Sequence, residues 1–286
     1  MEKLSATKIA ENYKNLNSGK TFKVQVFTEI DSTNLYAKKI LTESKLKNDY
    51  EKFHGCIFVA EKQTQGKGRQ GRSFYSPENA GIYMSMIYIY KEGIVNPALI
   101  TASSAVGVCR CLKKNFEINP KIKWVNDLFL NNKKICGILT EGIINQTTSC
   151  IDAVVVGIGI NLIKAAKDFP SELKNIAGTI INSDLAPNKD IDRNKLIAEI
   201  ASSVFYCINE SLKGNQQIIT EYQQNTIFTP GMKLQVFPFA GNSENQYEAF
   251  FDKIDENANL IVKLADGNKK ILYSGEVSLK SSTITN

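Results

Sequence analysis

Residues 63–74 read QTQGKGRQGRSF. Gly66, Gly68 and Gly71 have the spacing G-x-G-x-x-G, and Lys67, Arg69 and Arg72 stand among them. Glycines let a backbone approach a ligand and expose its N–H groups, and guanidinium groups match the oxygens of phosphates and carboxylates. The chemistry this suggests is anion binding. A dinucleotide-binding turn needs a helix opening at the glycines. The following SFYSPENAGIY contains Pro77 and Gly81 and leads into a strand, so that reading fails. A phosphate-binding P-loop lacks its G-K-[ST] ending. A kinase loop would want valine where Ser73 stands, and no V-A-I-K, H-R-D or D-F-G follows. A mobile basic hairpin tip is the plainer alternative.

Three further segments place polar residues against strand-like sequence. KWVNDLFLNNKKICGILTEG, 123–142, offers Lys123, Asn126, Asp127 and Lys134, which also suit turns and solvated strand edges. EIDSTNLYAKK, 29–39, offers Ser32 and Thr33, for which helix capping is a sufficient explanation. In VVVGIGINL, 154–162, Gly157 and Gly159 end an apolar strand where a ligand could approach or the chain merely bends.

These segments need a scaffold. Strands are expected at Phe22–Phe27, Gly55–Glu61, Gly81–Tyr90, Lys121–Val125, Asp127–Leu130, Lys133–Ile135, Gly137–Ile144 and Cys150–Ile158. Hairpin turns are expected at Asn131-Asn132 and Asn145–Ser149. Helices are expected at Leu35–Leu46, from the Asn96 cap and Pro97 to Phe116, over Asp192–Leu212 with Asp190 or Asp192 as cap, and through Ile218–Tyr222. After Thr229-Pro230-Gly231 helix signals cease. Short strands follow at Lys233–Phe237, Tyr247–Ile254, Leu260–Leu264, Lys269–Tyr273 and Val277–Leu279, with turns at Gly241-Asn242, Glu256-Asn257 and Asp266-Gly267. The pattern predicts an α+β fold over 1–229, with residues 1–20 a short extension, and a small β-barrel over 230–286.

The 286 residues are 43% hydrophobic and 22% charged, which fits a globular chain with a real core. A net charge of +6 suits a phosphate-bearing ligand but also serves solubility. Six cysteines without a C-x-x-C pair, and one histidine, His54, argue against a zinc site; buried reduced thiols are expected. No signal peptide is evident at the N-terminus. The longest apolar stretch, Ala153–Ile163, is about half the ~20 residues a membrane span requires. The expectation is a cytoplasmic protein, for which the sequon at Asn145 has no meaning.

Taken together, DSTN (31–34), EKQTQGKGRQGRSF (61–74), KWVND (123–127), KKICGILTE (133–141), GIGIN (157–161) and SGEVSL (274–279) resemble the biotin–protein ligases, over nearly the whole chain after residue ~20. The resemblance implies a mixed sheet with helices, like that of class II aminoacyl-tRNA synthetases, and an SH3-like β-barrel. It implies that biotin's carboxylate attacks the α-phosphate of Mg-ATP, giving biotinyl-5′-adenylate and pyrophosphate. A lysine of a biotin-acceptor domain, from a biotin-dependent carboxylase, then takes the biotinyl group and releases AMP. By position, Ser32, Thr33, Asn34 and Gln63 match contacts to the biotin ring system. Lys67, Gly68 and Arg69 match the loop over biotin and its adenylate, Arg69 retaining the adenylate. Lys134 matches the lysine that reaches the carboxylate. Arg72, Lys123, Asn126, Asp127 and Asn161 are assigned to the nucleotide, its Mg2+ or the acceptor, without a fixed protein-only metal site. Val125 replaces a usual proline, Phe74 a usual tryptophan, and Lys67 and Gln70 stand where arginine is common. With some 20 residues before the first strand, a DNA-binding winged helix is not expected; a homodimer is compatible. The rivals are a lipoate–protein ligase of the same fold, a basic nucleic-acid-binding module, and an inactive scaffold.

Overall fold

The computed structural model describes residues 2–45, 49–94, 96–144, 150–165, 168–181, 191–237 and 246–279. The 145–149 turn with its sequon, the Gly241-Asn242 turn, Leu46 and Asp190 lie outside the described residues. The chain runs α1 (Ala6–Leu16), β1 (Val24–Ile30), α2 (Thr33–Lys45), β2 (Ile57–Gln63), β3 (Gly81–Ile89), α3 (Pro97–Phe116), β4 (Lys121–Lys123), β5 (Asp127–Leu130), β6 (Lys133–Ile144) and β7 (Ile151–Asn161). Then follow α4 (Arg193–Leu212), α5 (Gln216–Gln224), β8 (Lys233–Phe237), β9 (Tyr247–Ile254), β10 (Leu260–Lys263), β11 (Lys269–Leu272) and β12 (Glu276–Leu279).

Seven strands form one sheet in the order β1-β2-β3-β7-β6-β5-β4, parallel at β1–β2 and antiparallel elsewhere. The second sheet is antiparallel throughout, in the order β11-β10-β9-β8-β12. The mixed α+β fold expected from sequence is therefore present.

Alternation assigns the two faces of the large sheet. Ile57 and Val59, Met84 and Met86, and Val154 and Val156 point into the core shared with α3 and α4. Phe58, Ile87, Ala153 and Val155 point the other way and pack under Ala37 and Leu41 of α2. Burial on both faces explains why β3 and β7 read as unbroken apolar runs rather than alternating ones. Leu234, Val236, Leu260 and Val277 of the second sheet join the same core as the helices. Trp124 Nε1 donates to Ala258 O at 2.9 Å, and Gln223 Nε2 donates to Ile254 O at 2.9 Å, tying the second sheet down.

Local signals placed several elements. Asn96 Oδ1 accepts from Ala98 N at 3.0 Å ahead of Pro97, and Asp192 accepts from Lys195 N. Asn131 and Asn132 both have positive φ, as a tight hairpin between β5 and β6 requires. Three expectations need correction. Lys133–Ile135 and Gly137–Ile144 form one strand, β6, because Cys136 and Gly137 stay in register opposite Ile160 and Gly159. The first 20 residues are not a bare extension: Ser5 caps α1, which buries Ile9 and Tyr13 against α4. Cys150 is exposed, unlike the other five cysteines, since it precedes β7 rather than belonging to it. Burial raises the thiols of Cys109 and Cys111 to about 12 and that of Cys207 to about 11.

Candidate active site

The α2-facing side of the sheet carries two rows across three strands. Ser85, Gly157 and Leu139 are paired in one; Tyr83, Gly159 and Gly137 in the next. Farther along β7 the same face carries Val155 and Ala153 and is filled by α2. At the glycines the filling stops being aliphatic. A Cβ on Gly157 would stand 2.2 Å from Asn34 Oδ1, and one on Gly159 would stand 2.6 Å from the Phe74 ring. The two glycines therefore make room for protein side chains, with a cavity of about 510 Å³ opening beyond them.

One end of the cavity is neutral. Ser32 sits at the start of α2, where Leu35 N donates to its Oγ at 3.4 Å, so the capping explanation holds for Ser32. Thr33 N donates to Gln63 Oε1 at 2.9 Å, and Thr33 Oγ1 lies 3.1 Å from the same oxygen. Gln63 Nε2 donates to Ser76 Oγ at 2.9 Å. Asn34, 4% exposed, donates to Glu141 Oε2 at 2.9 Å and to Leu139 O. Thus the end of β2 and the first turn of α2 are bound to each other and to the hinge of the glycine loop.

The other end is charged. The loop folds back on itself: Phe74 N donates to Gly66 O at 2.8 Å and Gly68 N to Arg72 O at 2.7 Å. An added Cβ on Gly66 would stand 2.4 Å from Phe74 O, so this closure needs glycine there. Lys67 and Arg72 are exposed on the loop. Arg69 turns inward, donating to Asn126 Oδ1 at 3.0 Å and to Gly275 O of the second sheet at 3.5 Å. Asn126 donates to Asp127 Oδ1 at 2.9 Å and to Ile138 O at 3.0 Å. Lys134 Nζ lies 2.7 Å from Asp127 Oδ1. The Lys134 backbone is held by the following loop, donating to Ile176 O at 2.8 Å and accepting from Gly178 N at 2.9 Å. Lys123 reaches the cavity from β4 with its ammonium 5.8 Å from the Phe129 ring centroid.

Ser32, Thr33, Asn34, Gln63, Lys67, Gly68, Arg69, Arg72, Lys123, Asn126, Asp127 and Lys134 all line this one cavity. Asn161 does not. Its side chain donates to Gly178 O at 3.1 Å, and it borders a separate crevice of about 10 Å³. Sequence reading missed Leu173, Asn175 and Ile176 in the lining. No local signal marks them; the backbone pairing to Lys134 carries them in. It also missed Trp124, whose burial between the sheets was legible only as an aromatic in a short strand.

Five basic side chains (Lys67, Arg69, Arg72, Lys123 and Lys134) face one carboxylate, Asp127, among the described lining residues. Such a cavity binds polyanions at one end and a neutral hydrogen-bonding ligand at the other.

Comparison with known proteins bears on the family and the fold. Residues 26–161 match the family model described as the biotin/lipoate A/B protein ligase family. The bifunctional ligase/repressor BirA of Bacillus spizizenii is 32% identical over 234 residues, spanning 79% of this chain and 66% of that protein. The biotin–[acetyl-CoA-carboxylase] ligase of Mycobacterium tuberculosis is 24% identical over 186 residues, spanning 64% of each. This chain thus covers a little under two thirds of these curated relatives. In fold, it superposes on a biotin protein ligase from Aquifex aeolicus, solved in complex with biotin and ATP, with a TM-score of 0.69 and 23% identity. That match covers 90% of this chain and 98% of the other.

Proposed function

We propose, from the premise that the chain belongs to the biotin/lipoate A/B protein ligase family, that it is an ATP-dependent biotin–protein ligase. It activates biotin as biotinyl-5′-adenylate and transfers it to a lysine of a biotin-acceptor domain, as in a biotin-dependent carboxylase. The observation that carries this reading is the two-ended cavity: a fixed neutral pair, Thr33 and Gln63, shares about 510 Å³ with Lys134, Asp127 and Arg69.

Two anions must meet in the first step. A carboxylate oxygen of biotin attacks the α-phosphorus of ATP, and the bond to pyrophosphate breaks. Biotin's carboxylate is ionised near neutral pH, so this step needs no general base; it needs charge neutralisation and alignment. In our reading Lys134 supplies the first of these. It exchanges its partner Asp127 for the substrate carboxylate, and its anchored backbone keeps the ammonium in place. ATP enters as its Mg2+ complex, a substrate, with Asp127 as the cavity carboxylate able to meet the ion. Lys123 and Arg72 take phosphate oxygens, and Asn126 aligns Arg69.

In the second step the acceptor lysine's amine attacks the acyl carbon, loses a proton to solvent, and expels AMP. The glycine loop must hold the adenylate away from water until then, with Arg69 as its retaining residue. Thr33 and Gln63 meet the ureido ring, which carries both donors and an acceptor. We place the activity in the cytoplasm, where ATP and the acceptor are available.

The test is ATP–pyrophosphate exchange with biotin, with lipoate and with neither. Exchange that depends on biotin supports the reading. Exchange that depends on lipoate alone transfers the chain to the other branch of the family, and exchange with neither acid removes both.

A further inference from the structure

We infer that Ser85, a buried β3 residue that does not line the cavity, sets the hydrogen-bond polarity of the Thr33–Gln63 end and is a positioning residue for the biotin ring. The inference rests on the proposed function for the identity of the ligand, and on proton counting for everything else.

The count starts at the surface. Glu141 Oε1 accepts from Lys38 Nζ at 2.7 Å and Oε2 from Asn34 Nδ2 at 2.9 Å. The Asn34 amide group also donates to Leu139 O at 3.3 Å. Both amide protons are thereby committed, and the oxygen must face Ser85. Ser85 Oγ lies 2.6 Å from that oxygen. An amide oxygen carries no proton, so the Ser85 proton goes to it.

The far side is equally determined. Gln63 Nε2 donates to Ser76 Oγ, whose own proton goes to Phe74 O at 3.0 Å. Gln63 Oε1 therefore faces Thr33. Between the two halves stands Thr33 Oγ1, 2.7 Å from Ser85 Oγ and 3.1 Å from Gln63 Oε1. It has one proton for two acceptors. The shorter contact, to the fully buried Ser85 with 0% exposure, takes it. Gln63 Oε1 already accepts from Thr33 N at 2.9 Å and keeps one lone pair; Thr33 Oγ1, its proton turned toward Ser85, keeps another beside it at the cavity wall. The two form an acceptor pair for a ligand N–H, which a ureido ring carries.

Removing the Ser85 hydroxyl frees the Thr33 proton to turn onto Gln63 Oε1, and the pair closes on itself. Ser85→Ala should raise KM for biotin about tenfold in ATP–pyrophosphate exchange, leaving KM for ATP within about twofold. The decisive readout is a coupling. Biotin methylated at a ureido nitrogen, each isomer in turn, lacks the N–H, so for one isomer the penalty of methylation should shrink about tenfold in the variant. Glu141→Gln, at the partly exposed end of the chain, keeps the shape but no longer dictates which way Asn34 faces. It should give the same split at about threefold and serves if Ser85→Ala does not fold.

An unchanged KM for biotin overturns the inference. So does equal weakening of biotin and both methylated isomers, which is what loose packing would produce. Failure of the unsubstituted protein to use biotin overturns the functional reading instead, so the two failures are distinct.

Discussion

At one end of the cavity Thr33 and Gln63 are neutral, packed between β2 and the start of α2, and fixed by a hydrogen-bond chain running through Ser85 and Asn34 to Glu141. At the other, Arg69 and Lys134 are partly exposed, borne on a glycine loop and at the end of a strand, and each now holds a protein partner that a substrate must displace. The difference matches what the proposed function asks of each end. A ureido ring is recognised by donor and acceptor placement, which is only as good as the rigidity of the partners. A phosphate and a carboxylate are recognised by charge, which tolerates movement and needs a path for entry. Shape is stored in the sheet, and charge on elements that can shift.

The contrast breaks most directly at Lys134. Lys134→Ala should lower the rate of biotinyl-adenylate formation by about 10²–10³-fold, since it removes a charge that the transition state requires. Adenylate yield in single turnover measures this, and an unchanged yield would show that the charged end does not act through Lys134. Next comes the neutral end. Gln63→Ala should weaken biotin by about 30-fold with little effect on ATP, and the loss should be insensitive to salt, unlike that of Lys134→Ala. Isothermal titration at two ionic strengths decides between them. Arg69→Ala should speed release of biotinyl-adenylate about tenfold while adenylation itself continues; labelling of unrelated lysines reports the escape. Equal release from both proteins would make Arg69 an ATP ligand only. The smallest effect is expected outside both ends. Gln223→Ala deletes the bond to Ile254 O and should cost about 1 kcal/mol in urea unfolding, with KM for biotin unchanged.

The strands and helices were legible wherever a local rule acts. The Asn96-Pro97 cap, the Asn131-Asn132 hairpin and the β3 run announce themselves in a few residues. α1 was not among the expected elements, although Ser5 caps it and Ile9 and Tyr13 lie on one face at i and i+4; the surface they pack against, on α4, is far along the chain. Within the site, the loop cations and the Asp127–Lys134 neighbourhood were visible as residues of the right type in strand-flanking positions. Their convergence was not, since β5 and β6 lie apart from β2 in the sheet and meet it only across β7 and β3. Asn161, on the same face of β7 as Gly157 and Gly159, gives its amide to Gly178 O, a contact that no local signal announces.

By itself the sequence determined the alternation of apolar and polar positions, the turns, the caps, and the presence of a glycine loop bearing cations, all set by interactions within a few residues. Only the tertiary structure decided that Gly157 and Gly159 make room for Asn34 and Phe74 while also lining the cavity. It alone decided that Leu173–Ile176 join the cavity, that Arg69 reaches the second sheet, and that Ser85 stands behind Thr33. Those contacts join residues far apart in the chain, and their distances exist only once the sheet has paired and its two faces are filled.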